Sequence, residues 1–131
     1  MARASFYTAI QFHACSVGRP AAMTDSEYHE RADALLKRLE AQADAWLQED
    51  VIDIDTQRAG GLLEMSLPDH SKLVINKQPP LQEIWLASRA GGYHFQWRDG
   101  AWCDSKSGAS FDAVFNAQAS AQSGKLLVLT A

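Results

Sequence analysis

The spacing of the apolar residues changes sharply near residue 48, and that change limits the architectures open to this chain. Before it, Ala32, Leu35, Leu36, Leu39, Ala43, Trp46 and Leu47 recur every three or four positions, the pattern of a helix with one apolar face. The stretch "TDSE" supplies a start signal. Thr24 as N-cap and Glu27 three residues on form a capping box, with Met23 and Tyr28 at the flanking staple positions. The spacing predicts a helix over about 25–47.

After the change, short segments of strand composition are divided by turn formers. "VIDIDTQ", "LLEMSL", "KLVINK", "LQEIWLAS", "YHFQWR" and "AWCD" are separated by Gly60-Gly61, Pro68-Asp69-His70, Pro79-Pro80, Gly91-Gly92 and Asp99-Gly100. Turns this tight predict an antiparallel meander of about six strands. In "ASFDAVFNAQASAQ", Phe111, Val114, Phe115 and Ala119 return to helical spacing, and "KLLVLT" closes the chain as an apolar tail. The expected fold is α+β: a two-layer α/β sandwich with both helices on one face of the sheet and the other face uncovered.

This architecture gives meaning to the run Ile84-Trp85-Leu86-Ala87, which is apolar at every position. Side chains alternate along a strand, so Ile84 and Leu86 share one face and Trp85 and Ala87 the other. With the first pair in the core, Trp85 stands on the uncovered face. There it either meets a partner, as tryptophans at binding hot spots do, or is half-covered by long neighbours such as Arg98 or Lys77.

The chain has 131 residues, one domain's worth, and no apolar run near the roughly 20 residues that a membrane helix needs. Cys15 and Cys103 are far apart and match no CxxC spacing, so neither a disulfide framework nor a zinc site is read from them, and a reducing cytoplasm fits. The net charge of −4 is unevenly spread: residues 24–55 hold ten carboxylates against Arg31, Lys37 and Arg38, a net of −7. Such a segment repels nucleic acid and attracts cations or a basic protein surface. Around α-helical geometry, His29, Asp33, Glu40 and Asp44 fall within a sector of roughly 60 degrees beside the apolar face. Glu49 and Asp50 continue the charge past the helix end, and "VIDID" puts Asp53 and Asp55 opposite Ile52 and Ile54. A ridge of carboxylates with one imidazole suits hard cations such as Ca²⁺, Mg²⁺, Mn²⁺ or iron, bound weakly because the ligands form a line; a charge run of this kind is also what a merely solvated face looks like. The chain carries no GxSxG, Walker or GxGxxG motif, and enzyme is not the leading class.

Residues 1–22 contain two arginines and no acid, the composition of a targeting peptide, but lack a sustained amphipathic pattern. They are read as an N-terminal extension to a domain over 23–131, and the strand-like "YTAIQF" within them is given no function. From residue 23 to about 129 the chain resembles the frataxin family in its bacterial branch, through "SEYHERAD", "INKQPPLQEIWLASRAGGYHF", "WCDSKSG" and the order helix, strands, helix. The resemblance implies a small acidic protein of iron–sulfur cluster assembly, monomeric with iron-dependent oligomers possible in the family. It implies iron (Fe²⁺ or Fe³⁺, other divalent cations substituting) held at His29, Asp33, Glu40, Asp44, Glu49, Asp50, Asp53 and Asp55. It also implies that Asn76, Gln78 and Trp85 contact a cysteine desulfurase and scaffold protein. Rival readings are a ferroxidase or iron-storage oligomer, and a metal-independent interaction module. Ala41, Ala45 and Leu47 stand where the family's helix end is denser in acid, which implies a lower iron capacity.

Overall fold

The capping box forms as the sequence requires: Glu27 N donates to Thr24 Oγ1 at 3.1 Å, and Thr24 N donates to Glu27 Oε1 at 2.9 Å. Those bonds, the backbone one foremost, hold the Glu27 carboxyl below its ordinary range. The computed structural model describes residues 22–131, so the N-terminal extension and "YTAIQF" lie outside the described residues. Helix α1 runs over Asp25–Gln48. It ends in a Schellman motif, with Asp50 N bonded to Leu47 O at 3.1 Å and Val51 N to Trp46 O at 2.8 Å. Asp50 takes the left-handed position usual for glycine, at φ 60°. Leu47, expected in the core, is 53% exposed. It lies one residue, about 100 degrees, beyond Trp46 on the helix, and the chain reverses there before anything can cover it.

Six strands follow: β1 Asp55–Ala59, β2 Leu62–Ser66, β3 Lys72–Gln78, β4 Glu83–Ala87, β5 Gly92–Arg98 and β6 Ala101–Asp104. They pair antiparallel in sequence order, the expected meander. Two boundaries differ from the sequence reading. Residues 51–54 are extended but unpaired, because β1 begins only where Asp55 meets Ser66. Pro79–Leu81 form one 3₁₀ turn, with Gln82 left-handed after it, so β4 starts at Glu83. Helix α2, Phe111–Ser123, starts at the N-cap Ser110, whose hydroxyl accepts from Ala113 N.

Both helices pack on the inner face of the sheet. Tyr28, Ala32, Leu36 and Leu39 of α1 and Phe115 of α2 are buried against Leu63, Met65, Leu73, Ile75, Ile84, Leu86 and Phe95. The closing tail is not a strand; it lies against the helices with Leu127 and Leu129 buried. Gln42, on the buried side of α1, holds the tail by accepting from Thr130 N at 2.6 Å and Ala131 N at 2.8 Å. Replacement Gln42→Leu is expected to lower stability by about 1 kcal/mol and to speed amide exchange over residues 130–131; unchanged exchange there would mean that Ser120, Asn116 and the buried Leu127 and Leu129 hold the tail without it.

Tyr28 crosses the core to donate its hydroxyl to Glu83 O at 2.7 Å. Burial pushes its ionisation up to about 12, against about 10 for a free phenol. A raised folded-state value favours folding fully below the unfolded value, and the contribution disappears as pH climbs through the folded one. Stability is therefore expected to fall between about pH 10 and about 12, accompanied by phenolate absorbance, and Tyr28→Phe should flatten that dependence.

Candidate functional site

Two surfaces carry the residues singled out from the sequence. The first is the ridge along α1. His29 and Asp44 are exposed on the helix, with the His29 ring edge-on to Tyr28 at 5.2 Å between centroids. Glu49 is the C-cap and Asp50 follows it. Asp53 and Asp55 are exposed while Ile52 and Ile54 are buried, as the alternation of "VIDID" requires. Asp33 and Glu40 behave differently. Asp33 Oδ1 accepts from Lys77 Nζ at 2.8 Å and from Arg58 Nη2 at 3.2 Å, and Glu40 Oε1 accepts from Arg58 Nη1 at 3.0 Å. Among the described residues, no three His, Cys, Asp or Glu side chains converge to hold a metal. A cation on the ridge would therefore take one or two carboxylates and keep much of its water.

Arg58 and Lys77 were not singled out from the sequence. The signal for them is parity: Arg58 pairs with Leu63 and Lys77 with Ile84, both core residues, so these two cations point to the helix side. That parity also removes Lys77 as a cover for Trp85.

The second surface is the outer face of the sheet. Trp85 pairs across the sheet with Asn76 on one side and His94 on the other. Its indole stacks on the His94 ring at 4.1 Å and 8°, and its Nε1 donates to Glu83 Oε1 at 2.8 Å. Glu83, 9% exposed, accepts from Gln96 Nε2 at 3.0 Å through its second oxygen. Arg98 turns to Gln96 Oε1 at 3.0 Å. The cover over Trp85 is thus His94, not Arg98 or Lys77, and the indole stays half-exposed. Gln78 pairs with Glu83 on this face, and its side chain makes no cap bond to the 3₁₀ turn. Asn76 Nδ2 reaches only Lys77 O, at 3.5 Å. The turn is braced instead by Gln82, which donates to Met23 O at 3.1 Å. The amides of Asn76 and Gln78 therefore remain half-buried beside Trp85 with little internal demand on them. Glu83 and Gln96 were missed, although they share Trp85's face once the register is known.

A groove of about 470 Å³ lies between α1 and the β5–β6 hairpin, lined by Arg31, Leu35, Arg38, Trp97, Trp102 and Phe111. Arg31 covers Trp97 at 4.7 Å from the ring centroid, and Arg38 binds both oxygens of Asp112 at 2.8 and 2.6 Å. No helix among the described residues is long and apolar enough to cross a membrane.

Fold and surface together define an acidic α+β sandwich with a half-exposed indole on the face away from its helices. A family model for the frataxin-like domain matches residues 21–125. The chain is 45% identical over 109 residues to the iron-sulfur cluster assembly protein CyaY of Variovorax paradoxus, covering 83% of this chain and 99% of that one. It is 43% identical over 109 residues, with the same coverage, to the protein of that name from Paracidovorax citrulli. Among solved structures it is similar to the frataxin from Psychromonas ingrahamii, with a TM-score of 0.72 and 34% identity over 83% of this chain and all 100% of that one. It is also similar to a trimeric frataxin from Saccharomyces cerevisiae complexed with ferrous iron, with a TM-score of 0.58 and 27% identity over 83% and 94% of the two chains. The chain belongs to the frataxin family.

The outer-face network carries a test of its own. Glu83→Gln keeps the shape but weakens a charged acceptor, so the Trp85 indole N–H resonance is expected to move upfield and stability to fall by about 1–2 kcal/mol. An unmoved indole signal would mean that the bond to Glu83 does not fix the ring.

Proposed function

We propose that this protein is an iron-binding component of iron–sulfur cluster assembly that regulates a cytoplasmic cysteine desulfurase and scaffold complex and hands iron to it. The observation that carries this reading lies at the end of α1. Asp44, Glu49, Asp50, Asp53 and Asp55 take part in no ion pair among the described residues, and the last turn of α1 holds no basic residue. A helix C-terminus already carries negative partial charge, so carboxylates there oppose folding. A cation relieves that repulsion, and all-oxygen ligands suit a hard ion such as Fe²⁺. Loose, water-rich coordination fits delivery and regulation better than storage. The names of the bacterial relatives, and the yeast relative's ferrous complex, support the same reading.

Trp85, with Asn76 and Gln78 beside it, would anchor the partner, and the ridge would meet a basic surface on it; charge complementarity of that kind makes association salt-sensitive. Replacement Trp85→Ala is expected to weaken the complex with the desulfurase by about tenfold or more. A triple Asp44→Asn, Asp50→Asn, Asp53→Asn variant should lose the rise in melting temperature that anaerobic Fe²⁺ gives the wild type. Wild-type affinity in the first and an undiminished Fe²⁺ effect in the second would refute the two halves of the proposal separately. The trimeric yeast relative supports a second reading, in which carboxylates of neighbouring copies complete an oxidising site. Oxygen uptake proportional to added Fe²⁺, with growth in particle mass, would select it.

A further inference from the structure

We infer that Arg58 and Lys77 are internal counter-cations that close the N-terminal half of the acidic ridge to metal, so that cations load first at its C-terminal end. The inference rests on the metal-binding reading above and assigns that site a gate. Arg58 bridges Asp33 and Glu40, seven residues and two turns apart on α1, with separate guanidinium nitrogens at 3.2 and 3.0 Å. Lys77 reaches the same Asp33 oxygen at 2.8 Å. Its side chain is only 11% exposed, so the lysine stem is packed away on its path to that carboxylate.

The backbone is shaped for this contact. Lys77 N donates to Gly61 O at 2.8 Å, and a methyl group at Gly61 would sit 3.2 Å from both Cβ and Cδ of Lys77. The glycine of the β1–β2 hairpin leaves room for the lysine stem to cross to the helix. Both cations come from strands, on positions whose parity aims them at α1. At Asp33 and Glu40 a divalent ion must displace ammonium and guanidinium groups. Asp44, Glu49, Asp50, Asp53 and Asp55 form no ion pair among the described residues that it must break. The ridge therefore divides into a closed half and an open half, although its eight acidic and imidazole side chains read as one stripe in the sequence.

The experiment is an anaerobic titration with Mn²⁺ as a paramagnetic probe, followed by amide line broadening, on the wild type, Arg58→Gln, Lys77→Gln and the double variant, with Arg58→Lys as the charge-preserving control. Amide spectra without metal establish that each variant is folded. In the wild type, broadening is expected first over residues 44–55. In the double variant it should extend over 29–40 at about threefold to tenfold lower Mn²⁺ than the wild type needs there, the range set by ion pairs of this exposure. Arg58→Lys, which keeps the charge but cannot bridge both carboxylates, should fall between the wild type and Arg58→Gln. Equal broadening of both halves in the wild type, or no change in the double variant, overturns this inference and leaves metal binding standing. No broadening anywhere on the ridge in any of the proteins removes the metal-binding reading, and this inference with it.

Discussion

Burial of the apolar stripe of α1 against one face of the sheet is the constraint on which the rest of the surface depends. Ala32, Leu36 and Leu39 are wholly buried, as are Leu63, Met65, Leu73, Ile75 and Ile84 facing them. Because strand side chains alternate, sealing these residues inside fixes the orientation of every other strand residue. A slip of one position would bring Trp85 and Glu64 inside and turn Ile84 and Met65 out. The hydrophobic term of several such side chains, about 1.5–3 kcal/mol each, far exceeds the cost of any single polar contact on the outside. Core packing thus decides which groups are available for function before any of them touches a ligand.

Glu83 joins the two layers. Its carbonyl accepts the Tyr28 hydroxyl from the start of α1, while its carboxylate on the opposite face holds the Trp85 indole and Gln96. One residue at the first position of β4 therefore ties the helix N-terminus to the aromatic patch outside. Stacked on His94 and bonded through its nitrogen, Trp85 is held in one orientation. A side chain fixed in this way would lose little conformational freedom if a partner covered it, as proposed above.

The start of α1, the meander and the second helix were legible in the sequence because each is encoded locally: a capping box, paired turn formers and a return to helical spacing. What was not legible depends on contacts between distant residues. Leu47 fits the helical spacing but lies beyond the sheet's cover, and Gln42 is buried only because the tail returns to it. Residues 51–54 alternate like a strand, yet no strand pairs with them. Asp33 and Glu40 could be placed on the ridge by helical geometry. Their pairing with Arg58 and Lys77 required knowing the register of β1 against β2 and of β3 against β4.

The electrostatics follow from the same geometry. The strands carry their cations to the middle of α1 and none to its end, so neutralisation is local and the excess of acid collects around the Schellman turn. That turn holds Asp50 in a left-handed conformation that glycine adopts more easily. A glycine there would suit the backbone better and would leave one carboxylate fewer. Charge against the helix dipole, an aspartate in a glycine position and five acids without ion pairs among the described residues all work against folding at one place. Where several local rules are broken together, the compensation lies in function. Under the function proposed above that compensation would be a cation, held only loosely because the acids are spread along a line and do not form a cage.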